Sequence, residues 1–195
     1  MKKFNYLILS FILFLLPTKV YSLIEVDITR GNLNPLPIAV SPLSSDSESI
    51  TSLNKKLNVK NIGLEISKVV ENNLRTSGLF NPLNKDAFLQ KPDIAHLKPR
   101  FEDWALIKAQ ALITGKVMLQ NEKLRVEFRL WDVLAGKEMM ALAFTTVPKN
   151  WRRVGHIITD KVYERLTGEK GYFDTRIIYV SEKGPKTQRV KKLAI

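Results

Sequence analysis

LITGKVMLQNEKLRVEFRLWDVLAGKEMMALAFTTV, residues 112–147, holds three apolar-rich runs separated by two turn signals. In the middle run Leu124, Val126, Phe128 and Leu130 fall on one side, and Arg125, Glu127 and Arg129 on the other. A period of two marks a strand with one face buried and one face wet. Gln120-Asn121-Glu122-Lys123 makes the first turn and Gly136 marks the second, so strands are expected over 112–119, 124–133 and 139–147. Strands this close in sequence pair antiparallel. Their apolar face then needs a cover.

Two flanking segments have the right pattern for it. Over 61–76, Ile62, Ile66, Val69, Val70 and Leu74 recur at helical spacing; over 151–166, Val154, Ile157, Ile158, Val162 and Leu166 do the same. Each is an amphipathic helix with one apolar stripe. Ser77-Gly78 closes the first, because Gly accepts the left-handed conformation at a helix end, and Leu79-Phe80 follows as a short strand. Residues 101–109 read as a shorter helix with Phe101, Trp104, Ala105 and Lys108 along one side. Ile38-Ala39-Val40 reads as a buried strand after Pro35-Leu36-Pro37, and the polar stretch 44–58 reads as a loop.

The first 22 residues have the three parts of a secretory signal. Lys2 and Lys3 are the positive end, residues 4–16 are the apolar centre, and Val20-Tyr21-Ser22 offers small residues to a peptidase cutting between Ser22 and Leu23. The apolar run is shorter than the roughly 20 residues a spanning helix needs, so the mature chain is expected to have no membrane span. There is no cysteine, which excludes a disulfide framework, thiol chemistry and the usual structural zinc sites. The net charge of +12 falls by three when Lys2, Lys3 and Lys19 leave. Export makes nucleic acid a poor fit for the remaining charge. An anionic envelope surface, an acidic protein partner or simple solvation of a basic surface stays open.

No enzyme site is visible. The only histidines, His96 and His156, lack partners for a triad. Gly168-Glu169-Lys170-Gly171 follows a helix and does not join a strand to one, unlike a phosphate loop. Asp86, Asp93, Glu102 and Asp103 are spaced as no calcium loop is. Neither a metal nor a cofactor is expected.

The ends are more telling. Leu23, Ile24, Glu25, Val26, Asp27, Ile28 and Thr29 alternate before Arg30-Gly31-Asn32 breaks the pattern, as in a strand whose Ile24, Val26 and Ile28 share one face. Such a segment either pairs within its own domain or adds to the edge of another protein's sheet. At the other end, 175–180 and 189–195 are two β-prone runs around Glu182-Lys183-Gly184-Pro185. Two strands alone are marginal in water, so the chain reads as though it stops inside a second, β-rich domain.

Several stretches resemble the TolB family, the soluble periplasmic component of the Tol-Pal envelope system. They are ITRG at 28–31 with PIAV at 37–40, NLRTSGLF at 73–80, FRLWDV at 128–133, and the long YERLTGEKGYFDTRI at 163–177. The resemblance implies an α/β fold with a mixed β-sheet packed against two main helices, followed by an incomplete first blade of a β-propeller. It implies a signal peptide at 1–22, an arm at 23–34, the α/β domain at 35–172 and the start of the propeller at 173–195. It further implies that the arm, from Leu23 to Arg30, binds the C-terminal domain of TolA, and that the protein acts as a monomeric adaptor in outer-membrane integrity and division. Binding of the lipoprotein Pal belongs to the propeller in this family, so it does not transfer to this chain. The alternative is a remnant of a split or frameshifted gene.

Overall fold

The computed structural model of the chain describes residues 34–45, 48–57, 61–176, 178–185 and 187–194. The leader, its cleavage site and the alternating arm lie outside these described residues. Five strands form one sheet: β1 (Leu36–Val40), β2 (Phe80–Pro82), β3 (Ala111–Gln120), β4 (Lys123–Asp132) and β5 (Lys137–Thr146), in the order β2-β1-β3-β4-β5. The expected meander is β3-β4-β5, antiparallel throughout. β1 runs parallel to both of its neighbours, which makes the sheet mixed.

A parallel pair needs a crossover. Between β1 and β2 it consists of α1 (Glu48–Lys56) and α2 (Ile62–Thr76). Between β2 and β3 it contains the short helices α3 (Pro92–Ala95) and α4 (Phe101–Leu106). After β5 comes α5 (Trp151–Thr167). Ile38, Ala39 and Val40 of β1 are all buried, as a strand covered on both faces requires.

The polar stretch 44–58 was expected to be a loop, and most of it is α1. Its apolar anchors are few: Ile50 and Leu53 are buried and Leu57 packs against the core. Two anchors in a nine-residue helix whose other seven residues are polar give too weak a period to read, and burial against the rest of the core decides the matter. Asn54 of α1 accepts from the Ile62 N–H at 3.0 Å, and Asn61 caps α2 by accepting from Leu64 N–H at 2.9 Å. Residues 92–95 also form a helix inside the Pro-rich stretch. The helix expected over 101–109 ends at Leu106, because Lys108 takes a positive φ of 62°.

α2 and α5 lie together on one face of the sheet. The whole expected stripe of α2 is buried, as are Val154, Ile158, Val162 and Leu166 of α5, while Ile157 is half-buried. Against them stand Leu124, Val126, Phe128 and Leu130 of β4. Each fully buried aliphatic side chain contributes about 1.5–3 kcal/mol. Between the helices the Asn73 amide donates to Thr159 Oγ1 at 3.2 Å and lies 2.9 Å from His156 Nδ1. A hydrogen bond nets about 1 kcal/mol, so packing holds the helices and the polar pair selects their register. The approach is close because α5 has Gly155 there: a Cβ would stand 2.9 Å from the Cβ of Val69.

The chain leaves α5 through Gly168 in the left-handed conformation at φ 75°. The Asp160 carboxylate then accepts from the backbone N–H of Phe173 at 2.7 Å and of Asp174 at 3.1 Å. Gly171 fits against Asp160 where a Cβ would overlap its backbone. Arg153 forks onto Asp174 at 3.0 Å, and Tyr172 and Phe173 pack around Tyr163. Because this clasp holds 172–174, the strand expected from 175 starts later. β6 (Tyr179–Lys183) and β7 (Val190–Ala194) pair as a separate two-stranded sheet, at the place expected for the start of a propeller blade.

Two outcomes follow from this packing. Gly155→Ala is expected to lower unfolding free energy by about 1–3 kcal/mol in urea titration, with part of the loss recovered in Gly155→Ala/Val69→Ala. Glu71 gives a pH signature. Burial disfavours its ionised form, but hydrogen bonds from Lys85 at 2.5 Å and Arg75 at 2.8 Å outweigh this and hold its carboxyl below the ordinary range. A carboxyl lowered by folding stabilises above the unfolded value of about 4.3, and that stability is lost as pH falls through the folded value. The stability advantage of the native chain over Glu71→Gln should therefore be full at neutral pH and vanish in acid.

Candidate partner-binding surface

The face of the sheet opposite α2 and α5 is covered only in part. Over β1 and the start of β3, a small second core forms from Ala39, Ala95, Trp104, Ala109, Leu112 and Val133. Gln90 organises its cover. Its side-chain oxygen accepts from the Arg100 N–H at 2.9 Å and from Trp104 Nε1 at 3.1 Å, and its amide donates to Lys98 O at 2.9 Å. Gln90 is buried, and an unpaired buried amide would cost about 1–3 kcal/mol. All three bonds tie the loops around α3 and α4 to one point.

Beyond this cover the outer faces of β4 and β5 are open. Side chains pointing there are those expected to face water: Arg125, Glu127 and Arg129, joined by Lys116 from β3 and by Ala141 and Ala143 from β5. Lys116, Glu127, Arg129, Ala141 and Ala143 line a groove of about 280 Å³, rimmed by His96 and Leu97, with Arg125 just beside it. Its charges are linked. Glu127 meets Arg125 at 2.9 Å and Lys116 at 3.8 Å, and Arg129 meets Glu138 at 3.2 Å. Arg129 Nη1 also donates to the carbonyl of His96 at 3.0 Å, tying the rim to the sheet.

The arm residues Leu23, Ile24, Glu25, Val26, Asp27, Ile28, Thr29 and Arg30, with Ser22, lie outside the described residues. What is described is their attachment, since Asn34 and Pro35 lead directly into β1. The other sequence candidates are dispersed. His156 is half-buried against Asn73. Asp86 accepts from Asn84, Asp93 accepts from Ser44 Oγ at 2.8 Å, and Asp103 pairs with Arg100 at 2.6 Å. Gly168 and Gly171 serve the clasp. Among the described residues no group of three or more His, Asp or Glu stands together as a metal site, and no helix is long and apolar enough to cross a membrane. The groove itself escaped the sequence reading. Its one signal was the pair of small residues Ala141 and Ala143 beside a charged alternation.

Comparison with known proteins gives a consistent result. The family described as the TolB amino-terminal domain matches residues 24–139. The chain is 78% identical over 186 residues to the Tol-Pal system protein TolB of Pelagibacter ubique (strain HTCC1062), covering 95% of this chain and 42% of that protein. The chain thus spans well under half the length of that relative. The crystal structure of TolB from Acinetobacter baumannii superposes with a TM-score of 0.64 at 21% identity, over 88% of this chain and 39% of that one. That likeness shows the fold.

Replacing Gln90 tests the cover of the second core. Gln90→Ala should cost about 1–3 kcal/mol for the groups it leaves unpaired. Hydrogen exchange should speed up at the Arg100 amide before it does in β3 or β4.

Proposed function

This chain belongs to the TolB family across its amino-terminal domain, and we propose that it serves as a periplasmic adaptor of the Tol-Pal system, holding the C-terminal domain of TolA through residues 23–30. The observation that carries this reading is 78% identity to a Tol-Pal TolB over nearly the whole chain. In this proposal residues 1–22 direct export, cleavage between Ser22 and Leu23 frees the arm 23–34, residues 35–172 form its platform, and 173–195 begin the propeller. The protein acts by binding, without catalysis, in support of outer-membrane integrity and invagination during division.

The physical support lies in the arm's pattern and its anchor. In sequence, apolar Ile24, Val26 and Ile28 alternate with polar Glu25, Asp27 and Thr29, so an extended chain would put the two sets on opposite sides. An extended segment of that kind binds a sheet edge through backbone hydrogen bonds, and its alternate side chains give selectivity. It joins the described domain at β1, the buried strand between β2 and β3. Tension on the arm therefore reaches a strand whose Ile38, Ala39 and Val40 are all buried.

Isothermal titration of the purified chain with a TolA C-terminal domain tests the assignment. Deleting residues 23–34 should abolish binding, and Ile24→Ala/Val26→Ala/Ile28→Ala should weaken it at least about tenfold, or ~1.4 kcal/mol. The melting temperature should stay unchanged. Full affinity after the deletion would remove the arm from the site.

A further inference from the structure

The two edges of the main sheet are built differently. β2 is three residues long and ends at Pro82, which has no N–H to offer; shortness and proline are the usual ways of blunting an edge. β5 is ten residues long and also terminates the sheet order. Over 139–146 it carries neither a charge nor a proline. Among the described residues no strand pairs with its outer side; only the Met139 carbonyl, at the start of this stretch, is taken, by Arg165 Nε at 3.3 Å, and Ala141, Leu142 and Ala143 are exposed. The groove runs along this strand, and Ala141 and Ala143 give it a shallow wall.

We propose that the outer edge of β5 is a second docking site, at which an extended segment of a protein partner with acidic side chains at alternate positions adds as a sixth strand. Backbone groups of β5 would supply the pairing. One set of the partner's side chains would lie over Ala141 and Ala143 in the groove, and the other beside Leu142. The preference for acid comes from the groove's charge. Glu127 is shared between Arg125 at 2.9 Å, just outside the groove, and the groove-lining Lys116 at 3.8 Å, so among the described residues two cations share one carboxylate. Arg129 already has Glu138. A carboxylate entering over the alanines meets the surplus positive charge, whereas a lysine there would be repelled.

The probe is a labelled, end-capped eight-residue peptide alternating valine and glutamate, titrated into the purified chain, with the valine–lysine peptide as control. The glutamate peptide is expected to bind about tenfold more tightly, with affinity falling as salt rises, and to slow amide exchange over 139–146. Ala141→Glu and Ala143→Glu, both at exposed positions outside the core, should weaken binding about tenfold at unchanged melting temperature. Equal affinity for the two peptides, or binding without protection of 139–146, would overturn the proposal. So would protection already present without peptide: concentration dependence would assign the edge to a second copy, and its loss on deleting 23–34 would assign it to the chain's own arm. Peptide binding is expected to survive that deletion, which separates this site from the one proposed for TolA.

Discussion

Where α2 crosses α5, a hydrogen on Gly155 occupies space that a methyl group would need, against Val69 and the carbonyl of Ile66. That contact lets two helices from distant parts of the chain share one face of a five-stranded sheet. With them in place, Leu124, Val126, Phe128 and Leu130 are buried. The same approach brings Asn73 to Thr159 and His156. A polar bridge at that depth contributes little net energy, but a shift of register would leave its groups unpaired.

The consequence for function is an asymmetric molecule. One face of the sheet is closed by α2 and α5. The other is closed only over β1 and β3, through the loops that Gln90 gathers. Among the described residues, β4 and β5 are left with an open, charged outer face, and no strand pairs with the outer edge of β5. In the adaptor role proposed above, backbone edges and alternating segments would be suitable tools, because they bind through groups every extended chain possesses.

The clasp after α5 has a different character. Asp160 accepts two backbone N–H groups, Arg153 forks onto Asp174, and Tyr163 gathers Tyr172 and Phe173. Tyr163 is itself part of the core and Phe173 packs against it, so these residues fasten the exit to the core beneath. They set the path by which the chain leaves α5 toward β6.

Much of the architecture was legible in advance. Periods of two and 3.6 place the meander and the two long helices within a residue or two, because each buries a full stripe that local sequence must encode. The family signature in 163–177 was legible too, and it coincides with the α5 end and the clasp, where Tyr163, Tyr172, Phe173 and Asp174 have particular partners. Three things had no local signal. α1 depends on two buried anchors, the place of β1 between β2 and β3 depends on crossovers, and the groove joins β3, β4 and β5 with the rim at 96–97. By itself, the sequence determined which residues are apolar at which spacing, and hence the meander, the two long helices and the family. Only the tertiary structure decided which edge of the sheet is blunted and which is left open, because strand order is set by long-range packing and no single segment carries it.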